Sequence, residues 1–252
     1  MNNATRIISK ETIFGIPIFA GGMEETLNLV EKSLREGINC QHVVVNAGKI
    51  VDMETNALLK KSILDADIVN ADGMAVVWAS RFLGKALPER VAGIDLMMKL
   101  VEMAHKEGYK CYFLGAKQAV VEAVINKFSV KYSPSIVAGY RNGYYSFDEE
   151  EQVAQNISAS NADLLFVAMS SPKKELFVNK YKDIMRVPFV MGVGGSFDVI
   201  AGVTKRAPIW MQNVGLEWFY RFVQEPRRMW KRYLVGNSKF LWLVLKTRFA
   251  KE

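Results

Sequence analysis

The chain reads as an α/β fold, a mostly parallel sheet with helices on both faces, followed by a C-terminal helical appendage. Three observations carry this reading. Short β-branched runs alternate with amphipathic helical runs through residue 202. The runs assigned to strands are almost continuously apolar, as strands covered on both faces must be. Composition then breaks near Gly202: residues 203–252 hold four of the five Trp and eleven Lys or Arg against three acids, a net +8 in a chain of +7.

The elements follow in order. Residues 14–19, Phe-Gly-Ile-Pro-Ile-Phe, predict a small hairpin, and residues 23–35 a helix. Strands are predicted at 42–46, 67–70, 110–115, 135–139, 163–169 and 188–193. Helices are predicted at 49–64, 73–83, 94–106, 118–132, 148–159 and 173–184. Strand–helix alternation at this spacing predicts βαβ units and a mostly parallel, Rossmann-like sheet. Two domains are expected: an α/β catalytic body over 1–202 and a basic, Trp-rich appendage over 203–252. In the appendage, Pro208 and Pro226 are each placed to open a short helix and Ser238 to cap a third.

Composition bounds the function. Half the residues are apolar, so a core forms without disulfides. Cys40 and Cys111 lie far apart, make no metal-ligand pattern, and read as buried thiols in a reducing cytoplasm. No apolar secretion signal is visible near the first residue, and no run reaches the ~18 apolar residues of a spanning helix. A basic, Trp-rich tail on a near-neutral body suits an anionic, half-apolar surface, and a membrane fits best. The competing reading is a basic helical cap with its Trp buried on the core.

In such a sheet, ligands bind beyond the carboxyl ends of the strands. Asp72 follows one strand directly and precedes Gly73, which opens a helix. A carboxylate there is either a general base with a raised pKa or the helix N-cap. Arg90, in the polar run Leu87-Pro88-Glu89-Arg90-Val91-Ala92-Gly93, serves an anion or a surface ion pair. Gly192-Val193-Gly194-Gly195-Ser196-Phe197 is a glycine-rich turn into a helix, suited to phosphate contact or to a tight turn alone. It breaks the dinucleotide fingerprint at Phe197, which argues against a nicotinamide-dependent oxidoreductase. Asp65-Ala66-Asp67 has the form of a metal-nucleotide motif but falls at the wrong end of its strand, so it reads as helix-end and turn chemistry. His42 and His105 have no partners at a telling spacing, which argues against a histidine triad or a zinc site. Stacking of tail aromatics on bases would make the tail a nucleic-acid binder, the remaining rival.

Taken in order, Asn70-Ala71-Asp72-Gly73, Leu87-Pro88-Glu89-Arg90-Val91-Ala92-Gly93-Ile94-Asp95-Leu96, Tyr112-Phe113-Leu114-Gly115, Ser171-Pro172-Lys173-Lys174-Glu175, Gly192-Val193-Gly194-Gly195-Ser196-Phe197-Asp198, Lys205-Arg206-Ala207-Pro208, Gly215-Leu216-Glu217-Trp218 and Gln224-Glu225-Pro226-Arg227-Arg228 resemble the WecG/TagA/CpsF family of bacterial glycosyltransferases over nearly the whole chain. The resemblance implies inverting transfer from a UDP-sugar to a polyprenyl-diphosphate-linked saccharide, without metal or cofactor, in cell-surface polymer synthesis. The enzyme would sit peripherally on the cytoplasmic face of an anionic membrane. It would have no nucleic-acid partner, and a homo-oligomer is left open. It further implies that Asp72 is the catalytic base and that Arg90 steadies the leaving diphosphate. Tyr144 and Asp198 would lie near the nucleotide, with Gly194 in the donor turn. Asn46 would lie at the sugar, and Arg221 and Arg228 would close over the site. Two positions depart from the family pattern: Val44 replaces a Thr, and Lys174 replaces a Gln in the donor region. The resemblance implies N-acetylmannosamine as the usual donor, or glucose or a related sugar, which branches that also resemble this chain use.

Overall fold

The computed structural model describes residues 9–250; within them the side chains at 228, 231 and 232 lie outside the described set, so the expectation for the Arg228 side chain falls outside it. The chain opens with a two-stranded antiparallel hairpin, β1 (Lys10–Ile13) and β2 (Ile16–Phe19). Phe14 and Gly15 form its turn, both at positive φ (53° and 73°). A two-residue turn of that hand matches the twist of the flanking strands. The hairpin therefore begins earlier than the apolar run alone predicts. Next come α1 (Met23–Glu36), β3 (Cys40–Val45), α2 (Ala47–Met53), α3 (Ala57–Leu64) and β4 (Ile68–Ala71). They lead to α4 (Met74–Phe82), α5 (Gly93–Glu107), β5 (Cys111–Gly115), α6 (Gln118–Lys131) and β6 (Val137–Arg141). The body closes with α7 (Glu150–Ala159), β7 (Leu164–Ala168), α8 (Lys173–Met185), β8 (Phe189–Gly192) and α9 (Ser196–Ala201).

Where one helix was expected over 49–64, there are two. Asn56 interrupts the apolar stripe, and its side chain accepts the Leu59 amide at 2.9 Å, which starts α3 afresh. All six strands of the main sheet are parallel, in the order β4-β3-β8-β7-β5-β6. The chain leaves β3 toward one edge and reaches β8 from the other side. The carboxyl ends of β3 and β8 therefore flank the topological switch point, where such sheets open a ligand crevice.

Both faces of the sheet are packed. One face buries Phe113, Phe166, Phe189 and Met191 under α1, α5, α6 and α9. The other buries Val43, Val45 and Val69 under α2, α3 and α4, and Leu165 and Val167 under α7 and α8. Alternate residues of each strand thus enter opposite layers, which explains the unbroken apolar runs. Cys40 and Cys111 are free and buried, and burial raises both thiols, Cys40 to about 12.

The appendage is a chain of short helices, α10 (Ile209–Asn213), α11 (Glu217–Gln224) and α12 (Pro226–Trp230), then a wide π-turn over Lys231–Val235 and α13 (Gly236–Phe249). Pro208 and Pro226 stand at the helix starts, as expected. Ser238 caps nothing: the backbone is already helical before Gly236, so the Ser238 hydroxyl donates back to Leu234 O at 2.7 Å. The appendage is docked on the body. Phe240 and Val244 of α13 are buried with Ile50 and Met53 of α2, and Gly215 lies against Met74 and Trp78 of α4.

Candidate active site

Asp72 stands at the carboxyl end of β4. Its amide donates to Val45 O at 2.8 Å, which continues the β3–β4 register by one residue and fixes the backbone. The N-cap position of α4 is taken by Gly73, at φ 128°, and no side chain caps that helix. The Asp72 carboxylate is thereby left uncommitted, with no hydrogen-bond partner among the described residues. It is recessed but still meets solvent. Its surroundings raise its pKa: burial contributes most, then the charge of Glu217, while Arg90 and Lys49 pull the other way. An unpartnered carboxylate with a raised pKa has the chemistry that general-base catalysis requires.

Arg90 comes beside it because its loop is pinned at both ends. Val91 N donates to Ala71 O at 2.9 Å, adjoining Asp72. Glu89 accepts the Met23 amide at 2.6 Å, at the start of α1. Arg90 Nη1 donates to Glu217 Oε2 of the appendage at 2.9 Å. Arg206 completes the set. It grips Asp95 of α5 through two hydrogen bonds of 2.6 and 2.7 Å, and its Nε donates to Glu217 Oε1 at 3.4 Å. One turn along α11, Arg221 reaches the glycine turn after β8: a Cβ built on Gly195 would stand 2.8 Å from Arg221 Nη2. Only glycine lets the guanidinium approach so closely. The Arg221 Nε is buried and unpaired among the described residues. Gly194, at φ 53°, shapes the same turn.

Asn46, Asp72, Arg90, Gly194 and Arg221 thus gather at the ends of β3, β4 and β8. Asn46 also caps α2, accepting the Lys49 amide at 3.0 Å. Asp198 lies on α9 and is half-buried. Tyr144 is exposed and follows the edge strand β6, on the side of the sheet away from Asp72. Lys174 does not face the open crevice. It is buried under β8, its Nζ 2.6 Å from Glu175 Oε1, which Lys49 also reaches at 2.8 Å. Burial pushes the Glu175 carboxyl upward, and the two ammonium groups outweigh it, holding the carboxyl below its usual range. Asp65 and Asp67 lie at the opposite, amino end of β4, bound to Lys61 and Asn179 and to the Gln41 amide. His42 is inside the sheet against Asn70 Oδ1 at 2.8 Å, and burial lowers its pKa to about 4, so it stays neutral.

Sequence reasoning gave no role to Glu217, Arg206, Asp95 or Lys49. The first three were visible only as parts of motifs, because their partners lie more than a hundred residues away in the chain or in the appendage. Lys49 looked like one more helix lysine.

Comparison with known proteins decides the family. The family model described as the glycosyl transferase WecG/TagA/CpsF family matches residues 11–252. The chain belongs to this glycosyltransferase family. It is similar to the N-acetylglucosaminyldiphosphoundecaprenol N-acetyl-beta-D-mannosaminyltransferase of Bacillus subtilis (strain 168), 33% identical over 251 residues, 96% of this chain and 93% of the relative. The enzyme of the same name from Bacillus spizizenii is 37% identical over 181 residues, 72% of this chain and 69% of the relative. The WecG/TagA/CpsF motifs fall where the site has been described: Asn70 ties β4 to β3 through His42, Asp72 and Arg90 lie together at the carboxyl end of β4, and the glycine turn receives Arg221.

Proposed function

We propose that this glycosyltransferase moves a hexosyl group, of the N-acetylmannosamine type or glucose-related, from a UDP-sugar to a polyprenyl-diphosphate-linked saccharide, inverting the anomeric carbon. The observation that supports it most is an uncommitted, raised-pKa carboxylate, Asp72, with Arg90 of the body beside it, held by the appendage's Glu217, and Arg221 delivered by the appendage to the glycine turn. Asp72 takes the proton of the acceptor hydroxyl as its oxygen attacks the anomeric carbon from the face opposite the leaving UDP. Arg90 and Arg221 receive the negative charge that gathers on the departing diphosphate. Asn46 lies at the sugar, Gly194 shapes the donor turn with Lys174 acting from beneath β8, Tyr144 and Asp198 serve the nucleotide, and the resemblance assigns Arg221 and Arg228 to closing over the site. The relatives' names supply the acceptor chemistry, a diphosphoundecaprenol bearing N-acetylglucosamine.

The appendage is proposed to rest on an anionic membrane surface on the cytoplasmic side. No helix among the described residues is long and apolar enough to cross a bilayer. The four appendage Trp are all exposed, Trp210 and Trp242 by 62% each, against the reading of a basic cap with buried Trp. Exposed Trp interleaved with Lys and Arg suits the headgroup layer.

The test is transfer from a panel of UDP-sugars to a short-chain polyprenyl-diphosphate-N-acetylglucosamine, with product anomer read by NMR. Transfer with inverted configuration is expected. No transfer from any UDP-sugar, or retention of configuration, would overturn the reading.

A further inference from the structure

We propose that Glu217 is a positioning residue for the leaving diphosphate: its carboxylate holds the Arg90 guanidinium beside Asp72 and yields it to the diphosphate of the bound nucleotide. This rests on the donor reading above. The geometry is asymmetric in a way that suits exchange. Arg206 has a two-pronged partner of its own in Asp95, at 2.6 and 2.7 Å, and meets Glu217 only at 3.4 Å. Arg90 has Glu217 alone among the described residues, by one 2.9 Å contact. When Arg90 turns to another anion, Glu217 keeps Arg206, so no carboxylate is stranded and the appendage stays fastened through Asp95.

The competitor is better matched to the guanidinium. A diphosphate brings more charge than a carboxylate and several oxygens that accept paired N–H donors. The Arg90–Glu217 pair is also partly open, with side-chain exposures of 17% and 32%, so solvent and ligand can reach it. A fully buried pair would resist exchange, because either partner would be left desolvated and alone. An exposed pair would hold the arginine only weakly. Glu217 sits at the first position of α11, the helix that also carries Arg221 to the Gly195 turn. Exchange at Arg90 therefore happens at the foot of the helix that delivers the second cation.

The test is UDP binding by calorimetry to the full chain and to Glu217→Gln, Arg90→Gln and the double variant, with uridine as control. Removing the competing carboxylate is expected to tighten UDP binding by about two- to fivefold, the scale of a partly exposed ion pair. The gain should vanish in the Arg90→Gln background and for uridine, because the exchange needs both the guanidinium and the diphosphate. A structural role would weaken UDP binding, and a general charge effect would tighten it equally in both backgrounds; either result, or no change, overturns the proposal. If Glu217→Gln does not fold, Glu217→Asp retracts the carboxylate by one methylene and is expected to tighten UDP binding likewise, with unchanged or weaker binding overturning it. Failure of the unsubstituted chain to bind UDP would overturn the donor reading itself, and the exchange with it.

Discussion

The rings of Phe14 and Phe240 meet edge to face, 5.6 Å between centroids, joining the first hairpin turn to the last helix. Phe240 is buried in the layer that also holds Ile13, Ile16 and Ile50. The appendage therefore shares the body's core along α13, although its composition sets it apart.

Phe240→Ala is expected to destabilise the protein by about 3 kcal/mol, the low end for a buried Phe truncation, because α13 has one free side on which to relax. Hydrogen exchange should locate the loss in α13 and the hairpin. Protection unchanged in both would show that the docking is not energetically significant.

Asp72→Asn should lower turnover by roughly 10²- to 10⁴-fold, the usual value of a general base. It should also stabilise the fold at neutral pH. The folded pKa is raised, so folding favours the protonated form; that stability is present below the unfolded value and is lost as pH rises through the folded one. The Tm gain of Asp72→Asn should accordingly appear at pH 8 and fade at pH 4. In the native enzyme, turnover should fall as pH drops through the same raised pKa. A Tm difference independent of pH would show that Asp72 is ionised at no cost in the fold.

Lys174→Gln should leave the fold close to native, since Lys49 still neutralises Glu175 at 2.8 Å. The substitution removes a positive charge just beneath the end of β8. The ranking of UDP-sugars in a competition assay is expected to change more than the Tm. An unchanged ranking would make Lys174 a purely internal partner of Glu175.

Trp210 and Trp242 are exposed, and neither carries the core. Replacing both with Ala should weaken flotation with anionic liposomes while leaving the Tm within about 1 °C, as expected of surface substitutions. Retained flotation would place the membrane contact elsewhere on the molecule.

Much of this architecture is legible in the sequence because buried parallel strands announce themselves. The six main strands and Asp72 at the end of one of them follow from apolar runs and the residues behind them. The misplaced reading of Ser238 has a plain cause: a capping residue type caps only where the backbone is not already helical, and here a π-turn leads straight into α13. The split between α2 and α3 was missed because Asn56 resembles any polar residue on a helix surface until its side chain turns to the Leu59 amide. The cluster of Glu217, Arg206 and Asp95 was illegible for a different reason. Charged residues carry no periodic signal, and these meet only after the appendage has folded back over the sheet.

The Arg206–Asp95 clasp stands at the start of the appendage and the Phe240 anchor near its end. Between these two fixings, residues 207–239 are held at further points, Gly215 against α4 and Glu217 at Arg90, so they are not a free arm. A free arm would have to search a wide volume before Arg221 found the Gly195 turn, whereas a segment tied at both ends and between has already met most of that closure entropy on folding. The local concentration of Arg221 at the Gly195 turn is thus set by short tethers on either side of α11 rather than by a long free tail. Trp210, Trp218 and Trp230, all exposed, lie within the same span as Arg221.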